Sequence, residues 1–160
     1  MGFSISAFSP DQDCRELLRL VEELSDFQTK ECNYPHELVE GGAVLWLKSF
    51  LPTLGMFSNI FLLEDANHDL VGFISVRLKT YPKYLTAGPR GQICEMFVLP
   101  ACRQQGVGCL LVKEAQLWLK QKGIQEVELN TVAGNAMGEA FWQKMGFGLE
   151  LKQWSKILAP

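Results

Sequence analysis

With 160 residues, of which 48% are hydrophobic, the chain has room for one domain, residues 1–160, that buries roughly 70% of its unfolded surface. A net charge of −3 argues against a nucleic-acid partner, and no apolar run approaches the ~20 residues of a membrane span, so no membrane contact is expected. The odd number of cysteines (Cys14, Cys32, Cys94, Cys102, Cys109) without a C-x-x-C pair, and the isolated His36 and His68, point to a reducing, cytoplasmic setting with no metal site; the N-terminus lacks the regions of a signal peptide.

Residues 3–8 alternate as a first strand, and Ser9, Pro10 and Gln12 then offer an N-cap, a first-turn proline and a capping-box glutamine. The helix they start carries Leu17, Leu20, Val21, Leu24 and Phe27 at helical spacing. A second helix is predicted from Gly42 to Phe50 or Leu51, ended by Pro52 and Gly55. Residues 59–63 and 70–78 read as antiparallel strands around a turn at residues 65–69, whose residue types favour a hairpin. After a loop over residues 79–91, the strand at 93–99 is apolar on both faces apart from Glu95, as in the middle of a covered sheet. A helix follows over residues 107–122, with Val107, Leu111, Ala115 and Trp118 inward, Lys113, Gln116 and Lys120 outward, and Gly123 at its end. Val127, Leu129 and Thr131 alternate along another strand, residues 135–145 form a short helix closed by Gly146, and residues 147–154 read as a last strand.

Between the apolar strand and the following helix lies Arg103-Gln104-Gln105-Gly106-Val107-Gly108. A glycine-bearing loop at a helix start offers converging N–H groups, a positive dipole end and one guanidinium, a combination that suits a pyrophosphate. No Gly-Lys-Ser/Thr follows and no third glycine completes a dinucleotide fingerprint, so the mononucleotide and nicotinamide loops are disfavoured. About 30 residues later comes a second signal, Asn135 followed by Ala140, Trp142, Gly146 and Phe147. Together, V-x-P-x-x-R-x-x-G-x-G through Val98, Pro100, Arg103, Gly106 and Gly108, and the N-to-GF segment through Asn135, Gly146 and Phe147, resemble the GNAT superfamily of acetyl-CoA-dependent N-acetyltransferases. The matching motifs cover residues 92–147.

The resemblance implies an α/β GNAT fold: a mixed central sheet of six to seven strands with helices on both faces, in the order β-α-α-β-β-β-α-β-α-β. It implies that the strands at 92–99 and 125–131 diverge at one end to admit the pantetheine arm of acetyl-CoA. By the same resemblance the amides of Gln104, Gln105, Gly106, Val107, Gly108 and Cys109 take the pyrophosphate, Arg103 anchors the loop or adds a charge-assisted contact, and the main chain of Phe97 and Val98 pairs with pantetheine. Asn135 either bonds the pantetheine arm or caps its own helix. Many members carry a tyrosine that protonates the departing sulfur where this chain has Trp142, a poor acid that suits a wall of the pantetheine pocket; Tyr81, Tyr84, solvent or the attacking amine are the other sources of that proton.

Acetyl transfer to an amine also needs an unprotonated nucleophile. An amine of pKa near 10.4 is neutral in about one molecule in a thousand at pH 7, which costs roughly 4–5 kcal/mol without a base. Glu95 is the candidate base, because desolvation in an apolar strand raises a carboxyl pKa toward the working range; the other reading is a carboxylate paired with a neighbouring side chain. Glu22, Glu23, Asp26, Glu31, Glu37 and Glu40 stand against Lys30 alone, so the acceptor is expected to be a small cationic amine, or else these side chains form a solvated acidic face. No histidine lies close to Cys102 or Cys109, which favours direct transfer in a ternary complex over a cysteine nucleophile. The alternatives are an acyl-CoA-binding module without turnover and a protein or peptide N-acetyltransferase; the family resemblance leaves open a monomer or a homodimer joined through sheet edges.

Overall fold

Alternating apolar positions and one tight turn build the first half of the sheet. The computed structural model describes residues 2–160. It sets β1 (Ser4–Ala7), β2 (Ser58–Glu64), β3 (Leu70–Lys79), β4 (Arg90–Val98) and β5 (Glu126–Leu129) side by side in that order. The first four strands are antiparallel neighbours, while β5 joins β4 in parallel through the crossover helix α3 (Val107–Gln121). In the β2–β3 turn, Asp65 Oδ1 accepts the N–H groups of Asn67 and Asp69 at 2.8 and 3.1 Å.

The period of two along β2 divides the core. Ile60 and Leu62, with Phe73 and Phe97, face α1 (Arg15–Lys30) and α2 (Gly42–Phe50), meeting Leu17, Leu20, Leu24, Leu47 and Phe50. Phe61 and Leu63, with Ile74, Val76, Ile93 and Val98, face α3 through Val107, Leu111, Ala115 and Leu119. The edge of that second layer is closed by α4 (Ala136–Lys144) through Phe141 and Trp142. The chain is thus a mixed α/β sheet with helices on both faces. Among the described residues, no helix is long and apolar enough to cross a membrane.

Three sequence expectations change. The first helix starts at Arg15, not at Ser9: Gln12 Oε1 does accept the Ser9 N–H at 2.8 Å, but residues 9–12 close a turn. Helix begins only where Asp13 Oδ1 accepts the Arg15 N–H at 3.0 Å. The fourth strand runs longer at its start, from Arg90, and the fifth is shorter, ending at Leu129.

The third change concerns the sheet, which has five strands among the described residues, not six to seven. Residues 147–154 follow Gly146 without strand pairing; Phe147 packs beside Trp142, but beyond it the apolar side chains meet no facing layer, with Leu151 and Trp154 86% and 84% exposed. Alternation supplies only the side-chain period of a strand; the hydrogen-bonded neighbour is a tertiary matter.

Candidate functional site

Pairing between β4 and β5 stops at Ile93 and Leu129, although β4 continues to Val98. β5 ends there, and residues 94–98 have no strand paired with them on the β5 side. At the same point β4 carries a bulge: Ser75 faces Glu95 and Val76 faces Ile93, so Cys94 is the extra residue. The bulge turns Cys94 and Glu95 to the same face as Phe97, toward α1 and α2, whereas Met96 and Val98 face α3. In the β3–β4 ladder the Leu99 N–H donates to Val71 O at 2.8 Å, and alternation from that pair turns the main chain of Phe97 toward β3. The main-chain groups that face the gap are therefore those of Met96 and Val98, and Phe97 offers the site its ring.

Glu95 is enclosed by β3 and α2. Ser75, fully buried on β3, donates its hydroxyl to Glu95 Oε2 and accepts the Glu95 N–H at 3.0 Å. The indole Nε1 of Trp46 on α2 is buried near the carboxylate and closes no hydrogen bond. Burial pushes the Glu95 carboxyl above its usual range; Ser75, Trp46 and Arg77 pull in the opposite direction without cancelling it. The adjacent Cys94 thiol is pushed up to about 12 by burial first and by Glu95 second, so it stays protonated and inert.

At the end of β4 the loop residues form a backbone nest. Gln104 and Gly106 both take the left-handed conformation, with φ of 61° and 79°, which only glycine adopts without strain. The first helical bond of α3 runs from Leu110 N–H to Gly106 O, so the amides of Gln104, Gln105, Gly106, Val107, Gly108 and Cys109 have no backbone acceptor. Close packing also requires Gly108: a Cβ there would stand 3.2 Å from the Phe141 ring. Arg103 lies over the rings of Phe27 and Phe97, and its Nε donates to Val98 O at 2.8 Å, which ties the loop to the strand end.

Asn135 caps α4, its Oδ1 accepting the Gly138 N–H at 2.9 Å. Trp142 stands edge-on between Phe141 and Phe147, with centroids 4.9 and 5.3 Å away. Tyr81 donates its hydroxyl to Glu128 at the paired end of β4 and β5, and Tyr84 is exposed. Glu22, Asp26, Glu37 and Glu40 line a cleft of about 440 Å³ that is closed on one side by Gly42 and Ala43, the first turn of α2. Among the described residues, no His/Cys/Asp/Glu group could hold a metal ion.

Sequence reasoning missed Ser75 and Trp46. Ser75 had a signal, as the one hydroxyl in the apolar centre of β3; Trp46 had none, because only the docking of α2 brings it to β4.

The model of the acetyltransferase (GNAT) family matches residues 18–147. The chain is 28% identical over 147 residues to the mycothiol acetyltransferase of Segniliparus rotundus, an alignment that covers 91% of this chain and 52% of that protein. It is 26% identical over 87 residues to the aminoglycoside N(6')-acetyltransferase type 1 of Acinetobacter haemolyticus, covering 54% and 60%. The chain thus spans just over half the length of these curated relatives. The solved structure of AAC(6')-Iy with the bisubstrate analog CoA-S-monomethyl-acetylneamine has the same fold at a TM-score of 0.75, with 19% identity and coverage of 99% and 100%. The matched span, which takes in β4 and β5, the loop before α3 and the short capped helix, shows that the chain belongs to the acetyltransferase (GNAT) family.

Proposed function

We propose that the protein moves an acetyl group from acetyl-CoA to a primary amine of a small cationic molecule by direct attack in a ternary complex. One observation carries this reading: the free edge of β4 begins at the same bulge that buries Glu95 and leads to the unpaired amides of residues 104–109. Those orphaned donors fit a diphosphate, and the main-chain groups of Met96 and Val98 fit the amides of a pantetheine arm. Arg103 holds the nest against β4, Trp142 walls the gap, and Asn135 serves by fixing the start of α4. Acetyl-CoA supplies the activated acyl group.

Glu95 acts as the base. Its raised pKa makes it a better acceptor for an ammonium proton than an ordinary surface carboxylate, and it is only partly exposed. Trp142 is no acid and Tyr81 is committed to Glu128, so the proton on the departing sulfur comes from the attacking amine or from solvent.

The acidic cleft favours an acceptor with more than one positive charge. α2 links it to Glu95, with Ala43 at the cleft and Trp46 near the carboxylate, about one helical turn or ~5 Å along the axis. A polyamine or aminoglycoside can then place one amine at Glu95 and another among Glu22, Asp26, Glu37 and Glu40. The relatives named for aminoglycoside and mycothiol acetylation support an amine of this size class.

The test is thiol release from acetyl-CoA with spermidine, neamine and a free-N-terminus peptide. Glu95→Gln is expected to lower kcat by about 10²–10⁴ at pH 7 with the acetyl-CoA Kd unchanged; an unchanged kcat and pH profile removes Glu95 from the role. Trp142 supports a second reading, an acyl-CoA-binding module without turnover. Tight acetyl-CoA binding with no thiol above background for any acceptor would favour it.

A further inference from the structure

The side chain that controls Glu95 lies across the β3–β4 ladder. Glu95 is a carboxylate in an apolar layer, at the point where β4 is irregular and cannot hold its side chain by regular pairing. A carboxylate there has several staggered orientations open to it, and only one of them can face an amine entering beside α2. Ser75 is wholly buried and its hydroxyl makes two contacts, both to Glu95: it accepts the Glu95 N–H at 3.0 Å and donates to Oε2. One hydroxyl thus fixes both the backbone and the side chain of the same residue across the bulge. A buried hydroxyl must find partners, and both that Ser75 finds belong to this one residue.

We propose that Ser75 is a positioning residue of the acetyl-transfer site, holding the bulged β4 backbone and the Glu95 carboxylate in one arrangement that leaves Oε1 free toward the acceptor. The inference rests on the reading of Glu95 as the base, and it extends the working site from β4 to β3.

The groups around Glu95 make the effect measurable. On its own strand the neighbour is Cys94, which stays a neutral thiol. From β3 come Ser75 and Arg77, the latter also donating to Ser49 Oγ at 2.6 Å and standing 3.9 Å over the Phe50 ring. From α2 comes the Trp46 indole; no charged side chain of α1, α2, α3 or β5 is among the groups that shift Glu95. Of the hydrogen bonds to the carboxylate oxygens, the one from Ser75 is the bond that closes. Since it favours the charged form, its removal must raise the Glu95 titration midpoint further.

The experiment is a carbon-13 NMR titration of glutamate-labelled full-length protein, with Glu95→Gln assigning the resonance, alongside kcat against pH for spermidine and neamine. Ser75→Ala is expected to raise the Glu95 midpoint by about one pH unit, a tenfold change in its ionisation equilibrium. The acid limb of kcat should move up by the same amount, with KM for acetyl-CoA unchanged. Ser75→Cys fills the same space with a weaker donor, should fall between the two, and carries the measurement if the alanine variant does not fold. A midpoint unmoved by either variant overturns the proposal, even where kcat or Tm falls, because a structural role alone would produce that. Loss of activity in Glu95→Gln together with an unmoved midpoint in the Ser75 variants would refute Ser75 and keep the base, whereas full activity in Glu95→Gln would refute the base.

Discussion

A carboxylate enclosed by apolar side chains weakens the fold whenever it is charged. The folded-state pKa of Glu95 lies above its ordinary value of 4.5, because burial outweighs the help from Ser75, Trp46 and Arg77. The folded state therefore binds this proton more tightly than the unfolded chain does. Its contribution to stability is present in full below pH 4.5 and is lost as pH rises through the folded pKa. Glu95→Gln, which cannot ionise, should accordingly raise Tm by a few degrees at pH 8 and leave it nearly unchanged at pH 4, as read by thermal denaturation. The same substitution is expected to abolish most turnover, so stability and activity should move in opposite directions at one residue. Glu95 stands out in the sequence as a lone charge in an apolar strand, but its partners do not. Ser75 is 20 positions away and Trp46 lies on another element; only the ladder register and the docking of α2 bring them together.

At the scale of elements, local chemistry explains where the short helices begin. Asn135 Oδ1 takes the Gly138 N–H, so Asn135→Ala should cost about 1 kcal/mol of stability by chemical denaturation. Its effect on acetyl-CoA affinity should be small, since the capping oxygen is already used within the chain. The nest at the start of α3 follows the same logic from the opposite direction: no side chain caps the helix, so its first amides stay open for a ligand. The loop, α3 and α4 were legible because their glycines, caps and 3.6-residue period are short-range signals. The start of α1 differs because the Ser9–Gln12 box closes a turn as readily as a helix, and Asp13 bonds the amide of Arg15 locally, two residues on.

For the whole molecule, the short paired stretch of β4 and β5 is flanked by charge pairs. Arg90 pairs with Glu126 at 2.7 Å and also reaches Glu128 and Glu150, while Lys79 and Tyr81 converge on Glu128. Burial works against the Glu128 charge, but these partners hold its carboxyl below the usual range. Past residues 93 and 129 no such charges bind the strands together among the described residues. The C-terminal arm adds little to this body beyond the Glu150 pair with Arg90. Deleting residues 151–160 should therefore leave Tm within about 2 °C in a melting experiment, since solvated side chains contribute little to the core. From sequence alone came the mixed α/β class, the order of elements up to α4, the glycine-bearing loop before α3 and the family, all of which rest on periodicities and motifs a few residues long. The tertiary structure decided the five-strand sheet, the point at which β5 stops pairing with β4, the bulge at Cys94 and the partners of Glu95. These depend on which strand edges find partners and which faces meet, and pairings across 20 or more residues leave no mark in a local pattern.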